Sequence, residues 1–155
     1  MPRSLRDDIR QNKPFKSLHE EAALNVVRTS ATMADAAEEL LKPHGISSTQ
    51  YNVLRILRGA EPTGLCRNEL RDRMLTRMPD VTRLLDRMEE AGLVVRARDN
   101  DDRRLVSTRI TAAGRRIVDG LDAPMSALHQ RRLGHLTSEQ LSKLIELLTL
   151  ARNSG

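Results

Sequence analysis

The spacing of Val81, Leu84, Leu85 and Met88 constrains this chain more than any other feature. Positions i, i+3, i+4 and i+7 fall on one side of an α-helix, so residues 79–91 are predicted to form a helix with one buried face. Its other face carries Asp80, Thr82, Arg83 and Arg87. Gly92 ends the helix, and residues 93–98 (Leu-Val-Val-Arg-Ala-Arg) read as a strand. Residues 99–104 form a charged tip, and 105–110 can return as the partner strand. Upstream, a short helix is expected to open at Cys66, with 74–78 turning the chain into Pro79, whose fixed φ suits a first helical turn.

A helix-turn-helix followed by a basic hairpin is a winged helix, so the fold expected is mainly α with a small β-wing. A half-polar helix with arginines suits a DNA major groove, and an arginine-tipped hairpin suits the neighbouring minor groove. Composition agrees with an anionic partner. The formal net charge is +5, and Arg67, Arg71, Arg73, Arg77, Arg83, Arg87, Arg96, Arg98, Arg103, Arg104 and Arg109 crowd the middle third of the chain. Arginine suits bidentate contacts to phosphate and guanine. The plain alternative is a solvated surface balanced by acids. Phe15 and Tyr51 are the only aromatic residues, so the stacking platforms of single-strand and RNA binders are missing and duplex DNA is the better guess.

The residues flanking this region extend the pattern. Residues 1–14 are polar and read as a flexible segment. A long helix is predicted over 18–41 with Ala23, Leu24, Val27, Ala31, Ala34, Ala37 and Leu41 as its stripe, ended by Pro43-His44-Gly45. Ser47-x-x-Gln50 and Thr137-x-x-Gln140 are capping boxes. The first opens a helix through Tyr51, Val53, Leu54, Ile56 and Leu57 that stops near Gly59, before a turn at 62–64. Thr111 is expected to cap another long helix towards Leu133, bent at Pro124. The final helix carries Leu141, Leu144, Ile145 and Leu148, with Leu147 and Leu150 on a second side. That width exceeds the need of one packing surface and argues for a homodimer; closure of a monomeric bundle is the alternative.

Residues 81–94 (Val-Thr-Arg-Leu-Leu-Asp-Arg-Met-Glu-Glu-Ala-Gly-Leu-Val), Asp102-x-Arg104 and Ile110-Thr111-x-x-Gly114 together resemble the recognition helix and wing of the MarR family of bacterial transcriptional regulators. The resemblance extends over about 18–151. It implies a domain plan of 45–111 for DNA binding, with 15–44 and 112–155 intertwining two chains into a dimer on a pseudo-palindromic operator. A sequence-specific regulator, most simply a repressor, follows from it. The rival is a winged helix serving protein interaction or non-specific nucleoid binding. Relatives place Ser or Thr where Cys66 opens its helix, so this cap is expected to be weak, because a thiol accepts hydrogen bonds poorly. Pro79 likewise departs from a Ser or Thr common in the family.

Candidate DNA contacts follow from both readings. Arg67, Asn68, Thr76, Thr82 and Arg87 are placed to meet phosphates. Arg77, Asp80 and Arg83 are placed to read bases: arginine chelates guanine, and an aspartate accepts from a cytosine amine. Arg103 or Arg104 is expected in the minor groove, and the resemblance gives Asp102 the role of supporting the wing; Asp99 and Asp101 read equally as turn acids. The resemblance also implies release by a small aromatic acid, with His19, Arg28, Tyr51 and Arg55 as candidate ligand contacts. Cys66 reads as a small filler before a redox sensor. His19, His44, His129 and His135 form no metal-ligand spacing, so neither a metal nor another cofactor is expected. Nor is an enzyme: phosphate loops, His-Glu-x-x-His and Gly-x-Ser-x-Gly motifs are absent. One cysteine, no bilayer-length apolar run and an N-terminus without an apolar centre fit a cytoplasmic protein.

Overall fold

The computed structural model describes residues 2–98, 101–102 and 104–153. Among these residues, seven α-helices surround a three-stranded antiparallel sheet: α1 (Leu5–Asp8), α2 (Leu18–Leu41), α3 (Ser48–Gly59), β1 (Leu65–Cys66), α4 (Arg67–Arg73), α5 (Val81–Glu90), β2 (Val94–Arg98), β3 (Val106–Ile110), α6 (Ala112–Leu133) and α7 (Ser138–Arg152). The strand order is β1-β3-β2. Among the described residues, no helix is long and apolar enough to cross a membrane.

The caps set most helix starts. Ser47 Oγ accepts the Gln50 N–H at 3.2 Å while Gln50 Oε1 accepts the Ser47 N–H at 3.0 Å. Thr137 and Gln140 repeat the exchange at 3.2 and 2.9 Å. Each box satisfies amide groups that a helix start leaves unpaired. Pro124 lies inside α6, which continues unbroken. The segment expected to be flexible contains a helical turn, capped by Ser4 with Leu5 buried. One apolar side chain docked by a capping box was too short a signal to read from periodicity.

A single core joins the winged region to the long helices. Leu54 and Leu57 of α3, Leu70 of α4, Leu85 and Met88 of α5, and Val118 and Leu121 of α6 are all buried in it, with Leu41 from the end of α2. Arg58 reinforces the α3–α6 contact, donating to Asp119 Oδ1 at 2.7 Å and to Asp122 Oδ2 at 2.8 Å. The first half of α2 and all of α7 stand outside this core. Val27 is 64% exposed, Ile145 66% and Leu150 61%, and α7 buries none of its residues.

The sheet has one strand more than the hairpin predicted. Leu65 and Cys66 pair with Thr108 and Ser107 of β3, a strand too short to show alternation. Gly64 leads into it with φ +78°, and a Cβ there would lie 2.5 Å from the Thr108 carbonyl oxygen. At the other end of the sheet, the first turn of α6 presses against the entry to β2. A Cβ on Gly114 would sit 2.4 Å from the Leu93 carbonyl oxygen, so only glycine lets α6 approach this closely.

Gly114→Ala should lower the unfolding free energy by about 1–3 kcal/mol, because a backbone carbonyl cannot swing aside as a side chain can; urea denaturation measures it. Acid stability offers a second check. Hydrogen bonds from Arg58 hold the Asp122 carboxyl below its ordinary value. The unfolded chain therefore takes up this proton first as pH falls, so the contribution is complete above the ordinary carboxylate range and is lost below about pH 4. Urea midpoints for Asp122→Asn should fall less steeply with acid than those of the parent.

Candidate nucleic-acid interface

The recognition surface is built by two caps and one apolar stripe. Glu69 Oε2 accepts the Cys66 N–H at 2.9 Å at the start of α4, which holds the Glu69 carboxyl below its ordinary value. Cys66 itself is half-buried. Beyond α4 the chain turns, and Asn52 Oδ1 of α3 accepts the Leu75 N–H at 2.9 Å, pinning that turn to the core. Asp80 then opens α5, its Oδ1 accepting the Arg83 N–H at 2.9 Å. The helix buries Val81, Leu85 and Met88 and exposes Thr82, Arg83, Asp86 and Arg87, as the spacing predicted.

Two assignments change here. Pro79 was expected within the first helical turn, but it precedes the N-cap, because the Asp80 carboxylate closes the helix end after it. Asp80 accordingly has a helix-capping task in addition to its candidacy for base contact. Arg77 and Thr76 lie in the exposed turn before α5, within the 74–78 segment expected to turn the chain.

Arg67, Asn68 and Thr82 come together where α4 meets α5. Arg67 Nη1 donates to Thr82 Oγ1 at 3.2 Å, and both line a cleft with Asn68, Leu85, Arg96 and Arg104. The cleft separates the recognition helix from the wing. At the wing, Asp102 Oδ1 accepts the Arg104 N–H at 3.0 Å, and the Asp102 carbonyl accepts the Leu105 N–H at 2.9 Å. Asp102 therefore shapes the backbone that presents Arg104. Arg103 lies outside the described residues, as do Asp99 and Asn100.

The arginine excess divides into two sets. Arg96 Nη2 donates to Asp86 Oδ1 at 2.6 Å and to Glu89 Oε1 at 3.0 Å, while its N–H donates to Glu89 Oε2 at 2.8 Å. These bonds raise the Arg96 pKa and lower that of Glu89. Arg109 Nε donates to the Thr63 carbonyl at 3.2 Å, and Arg115 pairs with Glu61. By contrast, Arg77, Arg83 and Arg87 are exposed and make no ion pair among the described residues. Sequence reasoning missed the Arg96 clamp and the Asn52 tie. Asp86 and Glu89 share an i, i+3 spacing that hinted at a common partner, whereas nothing near Asn52 hinted at its bond.

The candidate ligand contacts are not gathered in one chain. Tyr51 is buried in the core, its hydroxyl pKa pushed up by that burial, and the Arg55 guanidinium lies 6.0 Å from its ring centre. Arg28 lines a different groove with Arg3, Leu5 and Arg132, and His19 is exposed near the start of α2.

Comparison with known proteins agrees with this geometry. A family model described as the MarR family matches residues 44–105, from before α3 into the wing. A MarR transcription factor from Planctomyces limnophilus is 39% identical, with a TM-score of 0.67 over 88% of this chain and 99% of that one. The chain belongs to the MarR family. The uncharacterized HTH-type transcriptional regulator YkoM of Bacillus subtilis (strain 168) is 30% identical over 142 residues, covering 88% of this chain and 90% of its own. A mutant MarR from E. coli, solved in complex with operator DNA, is 25% identical and has a TM-score of 0.77, with coverage of 88% and 99%. The fold is thus that of a MarR-type winged-helix, DNA-binding transcription regulator.

The cap at Asp80 generates a prediction separable from DNA contact. Asp80→Ala should destabilise the protein by about 1 kcal/mol, while Asp80→Ser should retain most of the parent stability. Thermal melting without DNA compares the three proteins.

Proposed function

We propose that this MarR-family chain acts as a homodimeric repressor that recognises a pseudo-palindromic operator. The observation carrying the DNA-binding part is the set of exposed guanidiniums, Arg77, Arg83 and Arg87, beside a wing that presents Arg104. A protein surface keeps such charges apart from carboxylates at little benefit to its own stability. Phosphates and base edges supply the missing acceptors. On this reading Arg83 reads a guanine from the third position of α5, and Arg67, Asn68, Thr76, Thr82 and Arg87 hold phosphates. Arg77 and Asp80 join Arg83 at the base edges, and Arg103 or Arg104 enters the minor groove.

The dimer reading rests on α2 and α7. Leu18, Val26 and Val27, with Ile145, Leu147 and Leu150, are exposed in the single chain. Large apolar side chains exposed in such number on two helices favour an interface between copies of the chain. Two-fold pairing then sets two recognition helices about one turn of DNA apart. An aromatic-acid effector would meet His19, Arg28, Tyr51 and Arg55 only where a second protomer brings these separate regions together, and changing the spacing of the recognition helices would release DNA.

A duplex selected by the protein from a random pool provides the test. The parent should prefer that duplex over random sequence by about 10³ or more. Arg83→Ala should cost about 1–3 kcal/mol of discrimination at one base pair, whereas Arg104→Ala should weaken binding and reduce the salt slope by about one per wing. Val27→Asp combined with Ile145→Asp should give monomers in sedimentation and abolish the preference. Binding of the two arginine variants indistinguishable from that of the parent would refute these groove assignments.

A further inference from the structure

We infer that Arg96 is a positioning residue for DNA recognition: it sets the wing at a fixed distance from the recognition helix without touching DNA itself. The inference rests on the DNA-binding reading above. Its basis is the fork by which one guanidinium reaches two carboxylates on α5. Asp86 lies 2.6 Å and Glu89 3.0 Å from Arg96 Nη2, Glu89 Oε1 also accepts from Nε at 3.3 Å, and Glu89 Oε2 takes the Arg96 backbone N–H at 2.8 Å. Side chain and main chain of one strand residue are thereby both tied to the helix.

Position gives this tie its consequence. Arg96 pairs with Thr108 across the sheet, two residues before β2 ends at Arg98. The segment joining β2 to β3 carries Arg104, which lines the same cleft as Arg96 and Thr82. The α5 end of the clamp lies one turn from Arg83, since Asp86 follows it by three residues. A rotation of the hairpin about the Arg96 anchor would carry Arg104 away from the groove adjoining the one that α5 enters.

The clamp also removes an electrostatic conflict. Asp86 is exposed on the same side of α5 as Arg83 and Arg87, where an unpaired carboxylate would repel phosphates. Arg96 neutralises it while its own guanidinium is engaged on two acceptors. A lysine there keeps the charge but presents a compact ammonium without the planar fork.

A double-mutant cycle between Arg96 and Arg104 tests this, read as affinity for the selected duplex across a salt series, with helical signal and dimer mass followed alongside. Residues that act through one unit give non-additive effects. Arg96→Ala should weaken binding by about tenfold or more and lower the salt slope as Arg104→Ala does, although Arg96 meets no phosphate. Adding Arg104→Ala to Arg96→Ala should then change little. Arg96→Lys should fall between parent and Arg96→Ala, and it replaces Arg96→Ala in the cycle if the alanine variant loses its helical signal. Two effects that multiply independently would assign Arg96 a purely structural role and overturn the inference, as would parent-like binding of Arg96→Ala. In both cases the DNA-binding reading survives, because the parent still selects its duplex. A parent with no preference for any duplex overturns both.

Discussion

Thr111 makes four hydrogen bonds among the described residues, and three of them tie α5, the wing and α6 together. Its N–H donates to the Leu93 carbonyl at 3.1 Å, its hydroxyl donates to the Gly92 carbonyl at 2.7 Å, and the same oxygen accepts the Gly114 N–H at 3.1 Å. The end of α5, the entry to β2, the exit from β3 and the start of α6 therefore meet at one residue. Gly92, with φ +74°, turns the chain off α5, and Gly114 has no Cβ to hold α6 away from Leu93. Recognition helix, wing and long helix share this corner.

Charge is organised around the same frame. A count of arginines suggests a uniformly basic surface, but the folded chain sorts them. Arg58, Arg96, Arg109 and Arg115 are committed to intramolecular acceptors and act as fasteners between elements. Arg77, Arg83 and Arg87 remain exposed where the turn and α5 present them outward. The net charge of +5 is a sum over the whole chain and takes no account of how these exposed arginines cluster on the turn and α5. Half-exposed pairs of this kind add little stability individually. Their effect is to fix relative orientation, which a DNA-binding surface depends on.

The sequence reading succeeded where the governing physics is local. Helix α2 was predicted over the residues it occupies, and α5 within two residues at its start, because periodicity and punctuation by glycine, proline and capping residues act within a turn or two of the chain. The same reading extended α5 to Pro79, since proline at the first turn and aspartate at the N-cap compete for one boundary and the carboxylate won. It missed β1 and the turn at Leu5, each a short element whose formation depends on a distant surface.

Periods, caps and turn residues were legible in the linear chain because each depends on neighbours a few positions away: the stripe of α5, the boxes at Ser47 and Thr137, the glycine stop at Gly92. Which guanidinium meets which carboxylate was not, because pairing depends on distances through space between elements far apart in the chain. Arg58 finds Asp119 and Asp122, Asn52 reaches Leu75, and Arg96 grips Asp86 and Glu89 only once the core has packed the helices and folded the sheet back across them. The division between arginines that fasten and arginines left exposed arose at that stage, since a charge is satisfied by whatever acceptor the packed chain brings within about 3 Å.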